Sequence, residues 1–466
     1  MLVYPRARRD TSPCLKWVIA TTICFSLAIT AVPRDTHAQK KSAPVDATPP
    51  PLREDFKFGK VDLQLLEQVD LLDARFERDG MVYDDPTTSN YLLHIGQSLI
   101  PRDLELDNVK WKFHILRDPQ PNAFALPNGS IYVTTGLIAL LDNESQLAGV
   151  LAHEMTHVLR RHSYMQNRSN RDKFLTMNII AAIGAYAPTG GVGAAISVAA
   201  AVAPFIVLST MYGYSRDLER EADYKAVDML ISAEYPPDEM INTMKLLSND
   251  IEGEQIKVFY NDHPVLQDRI KYLTDYLGSR ADKVTPQMEL NREKKVYFQR
   301  MQPVMRHNVQ LAINAERFRS AVYFAKRLVE FDKTSSENAF LLAEAYRALG
   351  PRSDQLTEGE LTNSAKKDMA KKKIKTTLDE EERALLGTPE GQDNWKRHQQ
   401  ESEKYYLQAL SSDPPLPTAY RGLGMLYEKL GRTTDAAAQY QKYLALAPAA
   451  VDHDRIQKRL DAINHN

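Results

Sequence analysis

The run QLAGVLAHEMTHVLRRH (Gln146–His162) constrains this chain more than any other stretch, because two histidines and a glutamate recur at helical spacing inside an apolar frame. On an α-helix, residues four apart stack on one face about 6 Å apart along the axis, so His153 and His157 can both reach one Zn²⁺ at roughly 2.0–2.1 Å. Glu154 follows the first of them and can take a proton from a water held there. Leu147, Val150, Leu151, Met155 and Val158 keep the same period, which predicts an amphipathic, partly buried helix. Asn143 followed by Gln146 has the form of a capping box at its start. Two imidazoles beside a buried apolar stripe are costly to desolvate unless something partners them, and a metal ion partners both.

A catalytic zinc site usually takes three protein ligands and a water. The segment SRDLEREAD (Ser215–Asp223) offers the third. Glu219 and Asp223 sit four apart, so one helical face can present a carboxylate to the metal and a second carboxylate to a ligand histidine, fixing its tautomer. Spacing alone leaves Glu219 and Glu221 both open as the ligand. The blander alternative is a solvated acidic helix laced by its own ion pairs. His162 lies nine residues after His153. On one continuous helix that is half a turn out of phase, so His162 is expected to point away from the metal.

HEMTH, SRDLEREAD and the upstream run NAFALPNG (Asn122–Gly129) together resemble the HtpX-like and CAAX-prenyl-protease-like zinc metallopeptidases. That family carries ExxAD after its HExxH, and only Glu219 stands three residues before Ala222-Asp223. The resemblance therefore implies Glu219 as third ligand and Asp223 behind a ligand histidine, and makes Glu221 a surface residue. It also implies that the strand following NAFALPNG, Ser130–Thr134, binds extended substrate along its edge, a mode by which proteases add a strand to a sheet. Asn122 itself reads as a turn residue. In NDHPVLQDRI (Asn261–Ile270), His263 and Arg269 are similar to the family's late HP motif, whose groups stand near the catalytic water and stabilise the oxyanion. His263 can equally cap the zinc in a latent state, as in periplasmic members.

Arg6, Arg8, Arg9 and Lys16 precede an apolar stretch ending in Thr36-His37-Ala38, the form of a cleaved secretory signal over residues 1–38. Both cysteines, Cys14 and Cys24, fall inside it, so the expected mature chain has no disulfide and relies on its core. Removing that segment's five basic and two acidic residues takes the net charge from −2 to about −5, and no basic field suggests nucleic acid. Residues 39–60 read as a linker. The region 174–215 is free of charge but broken by Pro188-Thr189-Gly190-Gly191 into arms too short to span a bilayer. A helical hairpin over the cleft is expected there, with membrane contact as the rival.

Tyr420, Leu423, Gly424, Tyr427, Gly431, Ala436, Tyr440 and Pro448 fall at the spacings of a tetratricopeptide repeat, with Tyr443 where a small residue is commoner. Leu342, Ala343, Tyr346 and Gly350 repeat the phase, and residues 351–395 form a charged insertion. The expected fold is α+β: a mostly helical zincin-type metallopeptidase domain with a small sheet (61–285), then an all-α repeat domain (286–466). Repeats of this kind stack into a concave surface for protein partners. Signal, peptidase and repeats together resemble the periplasmic, repeat-bearing proteases of this family that serve outer-membrane β-barrel assembly. That similarity implies protein substrates among misassembled outer-membrane proteins, or contact with their assembly machinery. The competing class is a chaperone or scaffold with a largely latent peptidase site.

Overall fold

The structure is a computed structural model that describes residues 56–101, 106, 108–169, 214–248, 266–278, 285–354 and 378–465. The signal segment, most of the linker, the charge-free region up to 213, His263 and residues 355–377 lie outside the described residues.

Two helices open the described chain. α1 (Lys60–Arg78) buries Leu65, Val69, Leu72 and Phe76 at helical spacing, and Asp62 Oδ2 accepts the Gly59 N–H at 2.7 Å to close its first turn. α2 (Pro86–Leu99) begins on Asp85, whose carboxylate accepts the Thr88 N–H at 2.9 Å, with Pro86 in the first turn where its missing N–H costs nothing. A three-stranded sheet follows: β1 (Lys112–Leu116), β2 (Ala123–Ala125) and β3 (Ser130–Thr134), in the order β1-β3-β2. β3 runs parallel to β1, with Lys112 opposite Ser130, and antiparallel to β2, with Ala123 opposite Val133. Gly129 turns β2 into β3 at φ 98°, and a Cβ there would come 2.7 Å from the Lys110 carbonyl oxygen.

The sheet separates two apolar layers. Ile131 and Val133 of β3 face one core, and Tyr132 faces the other together with Leu65, Val69 and Phe76 of α1. In the first layer lies α4 (Glu144–Leu159), reached through the short helix α3 (Thr135–Leu140). Half of the expected capping box is present: Asn143 Oδ1 accepts the Gln146 N–H at 2.9 Å, but Gln146 Oε1 accepts the Asp142 N–H at 2.7 Å rather than that of Asn143. The helix is buried on all sides rather than amphipathic. The sheet and α2 cover part of it, and α6 (Arg216–Ser232) and α7 (Glu239–Ser248) close the rest. α5 (His162–Ser169) precedes them in sequence, and α8 (Leu266–Gly278) packs against α6 and α7.

After α9 (Pro286–Leu290) the described chain is helical. α10 (Lys294–Asn314) and α11 (Phe318–Phe331) pair as a hairpin, and Tyr297, Met301, Val304 and Val309 of α10 join the same core as α4. Two polar bonds pin this docking: Tyr297 O–H donates to the Ile138 carbonyl at 2.9 Å, and Thr135 O–H to Asn308 Oδ1 at 2.9 Å. α12 (Ser336–Leu349) packs on α14 (Pro389–Ala409), with α13 (Leu378–Leu386) beside it. α14 begins at Pro389, inside the segment read as a charged insertion. α15 (Pro417–Lys429) and α16 (Thr433–Leu446) form another hairpin, followed by α17 (His453–Asn464). Tyr443 is buried there, its O–H donating to Asp452 Oδ1 at 2.5 Å, so the large residue is accommodated by a specific bond. No helix among the described residues is long and apolar enough to cross a membrane.

Candidate active site

α4 and α6 meet so that the groups singled out on each face one another. His153 and His157, four apart on α4, bring their Nε2 atoms to 3.2 Å. Glu219, near the start of α6, sits across from both, with Oε2 3.5 Å from His153 Nε2 and Oε1 3.7 Å from His157 Nε2. Ligands about 2.05 Å from a tetrahedral ion stand about 3.3 Å from one another, so this donor triangle has the size of one face of such a site. All three residues are buried, and their ligand atoms lie within 4.8 Å of one another. Burial pushes the His153 imidazole down, yet its bonds to Asp223 and Glu219 outweigh that and hold it up at about 9. Two imidazole nitrogens and one carboxylate thus converge, a donor set that fits zinc.

Behind this triangle, Asp223 Oδ1 lies 2.9 Å from His153 Nδ1, one turn beyond Glu219 on the same helix face. The hydrogen bond keeps the proton on Nδ1 and turns Nε2 toward Glu219. Burial works to raise the Asp223 carboxyl, but Arg269 and His153 together hold it below the usual carboxylate range. Arg269, expected beside the oxyanion, is buried on α8 and grips Asp223 through Nη2 at 2.6 Å and Nε at 2.9 Å, while Nη1 stands 3.3 Å from Glu219 Oε2. Tyr272, one turn along α8, also donates its O–H to Asp223. Sequence reading passed over Tyr272, although its place three residues after Arg269 puts it on the same face.

Two expectations are corrected. His162 does not point away: its Nδ1 lies 2.9 Å from Nδ1 of His157. The phase argument fails because α4 ends at Leu159 and Arg161 adopts a left-handed φ of 58°, so His162 starts a new helix and turns back onto the site. Glu221 is not a surface residue: its side chain is 16 % exposed, with Oε1 2.9 Å from Arg160 Nε and Oε2 3.5 Å from His162 Nε2. Burial also drives the His162 imidazole below its ordinary range, which keeps the ring neutral. Tyr214 stacks on His157 at 3.9 Å and 13°, and its hydroxyl meets Ser163 Oγ at 2.9 Å.

The expected substrate edge is corrected as well. β3 is the central strand, paired on both sides and buried throughout, so it has no free edge. The edge belongs to β2, which packs against α4. Asn122 and Leu126 bond toward β3, which leaves the N–H and C=O of Ala125 directed outward. Asn122 is the turn residue expected, its Oδ1 accepting the Ala123 N–H at 2.9 Å. Glu154, buried beside His153, lines a cavity of about 30 Å³ with Val150, Met244, Leu247 and Arg269.

The model of peptidase family M48 matches residues 86–277. The mitochondrial metalloendopeptidase OMA1 of Schizosaccharomyces pombe is 27% identical over 203 residues, covering 43% of this chain and 54% of that protein. The β-barrel assembly-enhancing protease of Escherichia coli is 26% identical over 195 residues, covering 40% of this chain and 38% of that protein. The metalloprotease YcaL of the same species is 27% identical over 171 residues, covering 37% and 63%. The chain spans about half the length of the mitochondrial relatives it matches. Its paired histidines and facing glutamate thus lie within the stretch that matches, and residues 86–277 carry a peptidase family M48 domain.

Proposed function

We propose that this chain is an exported zinc endopeptidase that cleaves misfolded or misassembled envelope proteins, with its helical repeats holding the client or the assembly machinery. The observation that carries the catalytic part is the triangle of His153, His157 and Glu219, sized for one tetrahedral ion and backed by Asp223. When bound, zinc supplies the Lewis-acid chemistry that polarises a scissile carbonyl and acidifies water. Glu154, next to His153 on α4, accepts the proton of the attacking water and returns it to the leaving amine. Substrate lies along the outward edge of β2, its backbone bonded to the N–H and C=O of Ala125.

The helical hairpins support the client-binding part. Each buries one face against the next, as stacked repeats do, and tetratricopeptide spacing runs through α15 and α16. The relatives in Escherichia coli named for β-barrel assembly support the envelope role, and the signal-like segment supports a periplasmic site. His263 either donates to the oxyanion or caps the metal.

The test uses the full chain, zinc and an unfolded outer-membrane β-barrel protein. Wild type cleaves it; Glu154→Gln binds zinc and client without cleavage, with a rate loss of about 10²–10⁴. Cleavage by Glu154→Gln at the wild-type rate overturns the proposal. In the same assay, a faster His263→Ala variant assigns that residue to latency and a slower one assigns it to catalysis.

A further inference from the structure

We propose that His162 and Glu221 form a relay that fixes the tautomer and ring orientation of His157, as Asp223 does for His153. This rests on the metal-site reading above and adds two positioning residues to it.

The proton inventory allows one arrangement. To ligate a metal shared with Glu219 and His153, His157 must keep a lone pair on Nε2, the nitrogen that lies 3.7 Å from Glu219 Oε1 and 3.2 Å from His153 Nε2. Its proton therefore sits on Nδ1. The group facing that nitrogen is Nδ1 of His162 at 2.9 Å, so His162 must accept there and carry its own proton on Nε2. Nε2 is the atom that stands 3.5 Å from Glu221 Oε2. The His157 proton then meets an acceptor, and the His162 proton faces a carboxylate. The opposite assignment would put a proton on the metal-facing nitrogen of His157 and aim the His162 lone pair at a carboxylate.

The surroundings hold this chain of groups in place. His162 is fully buried, fixed by the left-handed turn at Arg161 and the start of α5. Arg160 stands beside Glu221 at 2.9 Å as an ion pair, whereas Arg269 grips Asp223 through two hydrogen bonds. Stacking on Tyr214 leaves the His157 ring one plane. Each ligand histidine is thereby backed by a carboxylate paired with a buried arginine, directly for His153 and through the His162 ring for His157. Such partners of ligand histidines typically contribute 10–100-fold in metal affinity.

The test measures zinc dissociation constants by chelator competition, and the visible spectrum of the Co²⁺ form, on the full chain. His162→Ala is expected to weaken zinc binding by about 10–100-fold and to alter the Co²⁺ bands. His162→Asn places an amide oxygen where Nδ1 stood and is expected to remain within about threefold of wild type, because the acceptor for His157 is kept. Glu221→Gln keeps His162 and an oxygen facing its Nε2–H, and is likewise expected to stay within about threefold. Thermal melts of the metal-free variants report any loss of fold separately. His162→Ala with wild-type affinity and spectrum overturns the relay, and so does His162→Asn binding as weakly as His162→Ala, which would mark a packing role. A wild-type chain that takes up no zinc overturns the metal-site reading itself, and the relay with it.

Discussion

Asp223 Oδ1 stands 2.9 Å from His153 Nδ1 while the Arg269 guanidinium holds the same carboxylate from the other side at 2.6 and 2.9 Å. One carboxylate therefore sets both the tautomer of a metal ligand and the neutralisation of a buried arginine. Asp223→Asn keeps the shape but weakens the hold on His153, and zinc affinity should fall about 10–100-fold in chelator competition. Asp223→Ala also strips Arg269 of its main partner, and urea unfolding should show a loss of about 3–5 kcal/mol. Unchanged affinity in Asp223→Asn would remove the residue from the site.

Gly424 of α15 sits where a Cβ would lie 2.6 Å from the Tyr440 ring of α16. That ring cannot give way easily, because it is fully buried and its hydroxyl bonds Glu428 Oε2 at 2.5 Å. Gly424→Ala is expected to cost about 1–3 kcal/mol in urea unfolding of the full chain, by forcing the hairpin apart. A change below about 0.5 kcal/mol would show that the two helices are not packed this closely.

Glu344 of α12 links stability to pH. Burial acts to raise its carboxyl, but Arg347 at 2.6 Å, with the Tyr406 hydroxyl, outweighs burial and holds it below the ordinary value of 4.5. A group whose folded value is depressed contributes stability that is complete above its unfolded value and is lost as pH falls through the folded one. Melting temperature should therefore drop as pH is lowered below about 4.5, and Glu344→Gln should flatten that part of the profile. A variant with the same acid slope as wild type would assign the acid sensitivity to other carboxylates.

Much of the centre was legible because it is local. HEMTH lies on one helix, its Asn143 cap is three residues from Gln146, and Glu219 with Asp223 lies on another, so helical period alone places each pair. His162 and Glu221 were misread because their positions depend on where α4 ends, and a single left-handed residue, Arg161, decides that. Arginine carries no sequence signal for such a turn, unlike glycine or asparagine. Arg269 was found as a residue but not in its role, since its contact with Asp223 spans 46 residues and is set by packing of α8 on α6. The edge strand was misassigned for the same kind of reason. Alternating burial marks a strand, whereas its rank in the sheet depends on β1 arriving in parallel on the far side of β3. The α10–α11 hairpin shares its core with α4, a link that repeat spacing cannot announce.

The metal content of the purified full chain, set against its His153→Ala, His157→Ala and Glu219→Ala variants, tests the central claim most directly. One zinc per wild-type chain is expected, lost on chelation together with cleavage of an unfolded protein and restored with it, and each variant should retain well under a tenth of that zinc at micromolar protein. Wild-type zinc content in any of the three variants, or cleavage that survives complete chelation, would contradict the account.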